Sequence, residues 1–336
     1  MNDNLSPVIS PLEIDDIPHL IACVKRCYGD SYPNEMMYDA ERLQEAIESQ
    51  IMHSVVARHD DGNVIGHCAL TFDGPHNTSP EAGKMIVDPE YRGHHIAENM
   101  AHKRIEIAKA LGLPGFWTEC VTNHPYSQHE MISFGAQETG LILGADPASM
   151  MKMQGLENYS DTRMSLLAFY LPLNDVGQTI YLPKHHVNFT SNLSKVLKIE
   201  RTIKDLTKPG EGVSTSTTAV DSIENTAQIS IEHIGKDLHA HLNHALEKIN
   251  SLDLATIYLD LPLYQEAASH AYVELENMGF FWGAWIPNYS IHGDILRLQK
   301  LNQAVNFDEI NTARPEGENI KKYVQSEWLR VSKKIG

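Results

Sequence analysis

The stretch VDPEYRGHHIAENMAHKRIEIAKALGL, residues 87–113, decides how the chain reads. The run that leads into it, KMIVDP at residues 84–89, is a strand closed by Pro89. Arg92-Gly93-His94-His95 follows, and then a helical pattern that puts Ala97, Ala101, Ile105, Ala108 and Leu111 on one face and stops at Gly112. A turn that enters a helix leaves several backbone N–H groups without partners. These converge on the positive end of the helix dipole and make a nest for a phosphate. Side chains in such a turn must be small or point away, which suits Gly93 and Ala97 and requires the His95 imidazole to aim outward.

Working outward, residues 8–14 read as a strand, 17–29 and 38–49 as helices, and 52–60 and 64–72 as strands joined by an Asp61-Gly62-Asn63 hairpin turn. Beyond the central helix, residues 115–121 are a strand. Residues 124–135 are a short helix with Pro125 in its first turn and Gly135 as its stop. Residues 141–144 and 165–173 supply strands around an irregular segment from Asp146 to Arg163. Alternating strands and helices in this order predict an α/β fold, a mixed sheet with helices on both faces.

The second half repeats the order more loosely. Strands are expected at 178–183, 216–223, 227–234, 255–262, 280–287 and 294–301, and helices at 189–200, 237–250 and 264–280. This suggests tandem duplication, with domains at 1–175 and 176–305 and an amphipathic tail at 306–336. The tail presents Ile320, Val324, Trp328 and Val331 to the body or to a second copy, so a homodimer is among the expected partners.

Strand, VDPEYRGHHIA, long helix, strand, short helix, strand resembles the acetyl-CoA-binding core of the GNAT superfamily of N-acetyltransferases, over about residues 7–172. Val87, Pro89, Arg92, Gly93, Ile96 and Ala97 match the family pattern, and His95 stands where the family prefers glycine. The resemblance implies acetyl-CoA as cosubstrate. Its pyrophosphate would rest on Arg92, Gly93, His94, His95, Ile96 and Ala97, and its pantetheine on the free strand edge of Met85, Ile86 and Val87. It also aligns His124, Ser127 and Met131 with the second family element, so Ser127 joins the cofactor contacts. Met131 falls where the family usually has the tyrosine that protonates the leaving thiolate; Tyr126 is the alternative acid.

An amine acceptor arrives as an ammonium, with a pKa near ~10.4 for a lysine-like group, and must lose its proton. Glu119 and His124 are the candidate bases, with Glu81 a third. The second half has no matching turn: Gly235 stands alone, and Asp237 opposes a phosphate. The expected activity is acetyl transfer to a primary amine on a small molecule or a protein lysine. The competing reading is a non-catalytic acyl-CoA sensor or scaffold.

A formal charge of −17 opposes nucleic acid and anionic membranes and favours amine partners. No apolar run approaches a membrane span, and the first ten residues lack a basic, apolar leader, so a cytoplasmic protein is expected. Cys23, Cys27, Cys68 and Cys120 form no CxxC pair and read as reduced thiols, the first two as core residues. Among eighteen histidines, the pairs His241/His244 and His185/His186 have no companion ligands nearby in sequence, so no metal is expected.

Overall fold

The computed structural model describes residues 6–147 and 162–335. Most of the segment expected to be irregular, residues 148–161, lies outside the described residues. Two compact units emerge, residues 6–118 and residues 119–147 with 162–335, and the chain passes from one to the other inside a strand.

The first unit holds β1 (Val8–Pro11), α1 (Ile17–Tyr28), α2 (Ala40–Glu48), β2 (Met52–Arg58), β3 (Val64–Thr71), β4 (Glu81–Val87), α3 (Ile96–Ala110) and the start of β5 (Gly115–Val121). The strands lie in chain order, antiparallel except for the parallel β4–β5 pair. Both faces of this sheet are buried. Val56 packs with Leu20, Cys23, Cys27 and Leu43 of α1 and α2, while its neighbours Val55 and Ala57 pack with Ile96 and Met100 of α3. The expected mixed α/β fold is therefore present, and Cys23 and Cys27 are core residues.

The buried face of α3 differs from the expected one. It carries Ile96, Met100, Ala101, Arg104 and Ala108, whereas Leu111 is exposed. The helix lies close on β3 because Gly66 has no side chain; a Cβ there would stand 2.9 Å from Met100 Cε. Arg104 is buried with its guanidinium carbon 5.6 Å from the Phe116 ring centre, a cation–π contact that hydrophobic periodicity reads as a polar position.

The second unit holds the rest of β5, α4 (Tyr126–Ser133), β6 (Gln137–Asp146), β7 (Met164–Pro172), β8 (Gln178–Tyr181), α5 (Lys184–Leu197), β9 (Arg201–Lys204), β10 (Thr215–Asp221), β11 (Thr226–His233), α6 (Leu238–Ile249), β12 (Thr256–Pro262), α7 (Ala268–Asn277), β13 (Phe281–Ser290), β14 (Gly293–Leu301) and α8 (Pro315–Ile335). Its main sheet runs β7-β6-β13-β14-β12-β11-β10, with β11 and β12 parallel, and β8 and β9 form a separate parallel pair. α5 begins at Lys184, ahead of the expected 189–200 stretch, and β9 was not expected. On α6 the buried stripe is Leu238, Leu242, Leu246 and Ile249. On α8, Ile320, Val324 and Val331 are buried as its periodicity predicts. None of the described helices is long and apolar enough to cross a membrane.

Candidate active site

The turn between β4 and α3 has the backbone its sequence requires. Gly93 has φ +83° and His95 has φ +57°. The left-handed conformation at residue 95 explains why glycine suits this place, since a Cβ there costs on the order of 1 kcal/mol. The His95 imidazole points outward, 79% exposed, and meets Glu98 Oε2 at 2.9 Å through Nδ1. From Gly93 to Ala97 no backbone N–H donates a hydrogen bond to a described residue. Five consecutive free donors at the N-terminus of a fifteen-residue helix form an anion-binding nest. Arg92 is half-buried beside it, its Nε donating to the Val87 carbonyl at 3.3 Å.

β4 carries a feature that the sequence reading lacks. His67 pairs with Ile86 and Ala69 with Gly83, so β4 holds one residue more than β3 in this interval, a β-bulge with Lys84 at φ +55°. The buried His67 fixes this bulge. Its Nδ1 lies 3.0 Å from the Lys84 carbonyl and its Nε2 3.0 Å from Ser54 Oγ. A carbonyl only accepts, so Nδ1 carries the proton and Nε2 accepts from the Ser54 hydroxyl. On its other edge β4 registers with β5 only at Glu81↔Trp117. The backbone of Met85, Ile86 and Val87 thus has no ladder partner in β5, the open edge the sequence predicts.

Burial pulls the His67 pKa down to about 4. Its folded value lies below the ordinary 6.5, so the folded state binds this proton less readily than the unfolded chain does. The resulting stability is present above pH ~6.5 and is lost as pH falls toward ~4. Denaturant titrations should show the stability advantage of the parent over His67→Phe shrinking by ~2 kcal/mol between pH 7 and 4.5. A gap independent of pH would contradict the neutral, buried imidazole.

In the second unit, His124 and Tyr126 sit together at the entry to α4, their ring centres 4.9 Å apart. Tyr126 is 65% exposed. His124 is half-buried, burial holds its pKa below the ordinary value, and its Nδ1 has no hydrogen-bond partner among the described residues. The hydroxyl of Ser127 is likewise without a partner, and Met131 is a core residue. Arg297 Nη1 lies 3.7 Å from Glu119 Oε1.

The turn that presents His124 and Tyr126 is clamped by the C-terminal segment. Gln128 Nε2 donates to the carbonyls of Val121 and Asn311 at 3.0 Å each, and Ala313 N donates to Gln128 Oε1 at 2.8 Å. Asn311 N and Nδ2 both donate to the Thr122 carbonyl. Sequence reasoning found none of these residues, nor Ser54 and His67.

The turn between β11 and α6 is filled by the chain itself. Gly235 N donates to Ser214 Oγ at 3.0 Å, Lys236 N to the Gly212 carbonyl at 3.2 Å, and Ser214 N to Asp237 Oδ1 at 2.7 Å. The fit is close: a Cβ on Gly210 would stand 2.3 Å from the Ile234 carbonyl oxygen. Donors that are free in one turn are spent in the other.

Comparison with known proteins bears on the first turn. The family model described as the acetyltransferase (GNAT) family matches residues 17–135. No curated protein matches the sequence. Among solved structures, an N-acetyltransferase from Staphylococcus aureus Mu50 is 15% identical, with 50% of this chain and 98% of that one covered and a TM-score of 0.39. A ribosomal-protein-alanine N-acetyltransferase from Brucella melitensis is 20% identical, with 49% and 99% covered and a TM-score of 0.39. A mutant spermidine N-acetyltransferase from Vibrio cholerae is 15% identical, with 49% and 93% covered and a TM-score of 0.40. Over residues 17–135, with the β4–α3 turn inside the matched region, the chain is similar to the acetyltransferase (GNAT) family.

Proposed function

We propose that the chain moves an acetyl group from acetyl-CoA to a primary amine by direct attack. The observation that carries this reading is the row of free N–H groups from Gly93 to Ala97 within the matched region. In this reading those donors and Arg92 hold the pyrophosphate, and the open edge at Met85, Ile86 and Val87 takes the pantetheine. Ser127 adds a hydroxyl contact. His124, kept neutral by burial, removes the ammonium proton, and Tyr126 supplies the leaving thiolate with one. Glu119, beside Arg297, is the other candidate base. The acidic chain favours cationic acceptors, small amines or protein lysines alike.

The second half, in this reading, is a degenerate copy. Its order β10-β11-α6-β12-α7-β13-β14, with a parallel pair around α6, repeats β3-β4-α3-β5-α4-β6-β7 with its parallel pair around α3. Its filled turn binds no CoA.

Calorimetry with CoA should therefore give one site per chain. Ala97→Glu should weaken it tenfold or more, ~1.4 kcal/mol, because a carboxylate would face a site for a diphosphate. Unchanged affinity in a folded variant, or two equal sites, would sink the assignment.

Kinetics over an amine panel test the chemistry. Tyr126→Phe should lower kcat with little change in CoA affinity, toward the lower end of the ~10²–10⁴ range for acid assistance, since a thiolate of pKa ~8.5 leaves readily. His124→Ala should lose most kcat/KM at low pH, where free amine is scarcest. The imidazole's depressed pKa keeps it a competent base below pH ~6.5. If both variants track the parent, the proton carriers lie elsewhere, with Glu119 and Glu81 next to test.

The buried Met131 at the family's acid position favours a second reading, a CoA-binding sensor. That reading expects tight CoA binding with no thiol release from acetyl-CoA and any amine.

A further inference from the structure

His185 and His186 open α5, and the fold brings two carboxylates from distant helices to them: Glu276 of α7 and Glu327 of α8. One ligand atom from each lies within 4.8 Å of all the others. His185 Nε2 is 3.1 Å from Glu276 Oε1, and His186 Nε2 is 3.8 Å from Glu327 Oε2. A tetrahedral ion with bonds of ~2.0–2.1 Å has ligand–ligand edges of ~3.3 Å, which these two distances bracket.

A second observation points the same way. His186 is fully buried, and its Nε2 has no hydrogen-bond partner among the described residues while facing the Glu327 carboxylate. Its other nitrogen is engaged, with Nδ1 2.5 Å from the Tyr323 hydroxyl. A histidine oriented through one ring nitrogen and open at the other is the arrangement that second-shell partners impose on metal ligands. Glu276 and Glu327 are buried too, and the His185 side chain, 40% exposed, leaves the cluster accessible from solvent.

Arg330 also touches both carboxylates, and Lys334 Nζ lies 3.5 Å from Glu276. A dication brought to the same oxygens must displace the guanidinium, which at 37% side-chain exposure can turn into water. Two imidazoles and two carboxylates suit zinc and its first-row neighbours better than magnesium or calcium, which prefer all-oxygen shells.

We propose that His185, His186, Glu276 and Glu327 form a site for a divalent transition-metal ion of the zinc type, with Arg330 competing for its two carboxylates. The bound ion would tie α5, α7 and α8 together. The histidine pair showed no companions in sequence because both carboxylates come from helices far along the chain.

The test titrates the full chain, any affinity tag removed, with zinc chloride by calorimetry and cobalt chloride by visible absorption. One ion per chain is expected, with the intense visible bands of tetrahedral cobalt. His185→Ala, whose side chain is partly exposed, and the double variant His186→Ala/Glu327→Gln should each weaken binding tenfold or more. Arg330→Met should tighten it. His241→Ala/His244→Ala, on α6, should leave it unchanged. Circular dichroism establishes that each variant folds, and His185→Ala decides the matter if the buried pair does not. The proposal is overturned by a parent affinity weaker than ~0.1 mM, by binding unchanged in His185→Ala, or by binding lost in the α6 variant. An unchanged affinity in Arg330→Met overturns the competition.

Discussion

Gly140→Ala should cost ~4 kcal/mol or more and leave the second unit unable to melt cooperatively, although it adds a single methyl group. Gly140 on β6 registers with Ala284 on β13, where the two strands meet. A Cβ on Gly140 would stand 2.1 Å from Ala284 Cα and 2.4 Å from the Gly283 carbonyl oxygen. Both atoms are backbone, so no rotamer relieves the clash. Overpacking a core usually costs ~1–3 kcal/mol because side chains yield; here the strands themselves must part. Thermal and urea unfolding decide it. A variant whose midpoint stays within ~4 °C of the parent, about 1–2 kcal/mol for a domain of this size, would show that the strands can separate cheaply.

Arg297→Met should be nearly as damaging, by ~3–5 kcal/mol, because it strands buried carboxylates. Arg297 lies on β14 with its side chain only 8% exposed. Nε and Nη2 meet Asp260 Oδ1 and Oδ2 at 2.8 and 3.0 Å, and Gln228 Nε2 adds a bond of 2.8 Å to Asp260 Oδ2. These carboxylates hold the guanidinium pKa well above its ordinary value, so the cation is permanent. Removing it leaves Asp260 charged among apolar strands. Changing Asp260 as well, in Arg297→Met/Asp260→Leu, removes the orphaned charge and should recover most of the loss, a coupling that a double-mutant cycle measures. Additive single effects would show that the pair is not the source of the penalty.

Much of the first unit was legible because its apolar runs end at glycine or proline. The Asp61-Gly62-Asn63 turn and the Gly29 and Gly112 helix stops each mark a boundary that the structure keeps. The nest was legible for the same reason, since Gly93 and Ala97 announce a turn with little side chain. What escaped depends on partners remote in sequence. β9 reads as polar because Arg201 opens it; its buried guanidinium is neutralised by Asp175 and Asp294, which no local pattern joins to it. His67 looks like a polar residue in a strand until the register brings Ser54 and the Lys84 carbonyl to its two nitrogens. The clamp on the His124 turn needs Asn311, far down the chain.

The filled turn of the second half has a consequence for competition. Ser214 and Gly212 are tethered next to the donors they occupy, through a short run of chain from β9. A group held on so short a tether acts at an effective concentration of order millimolar or above. A diphosphate free in solution must exceed that level and also desolvate beside Asp237 before it gains any contact. The turn is thus supplied with an internal occupant that cannot be diluted.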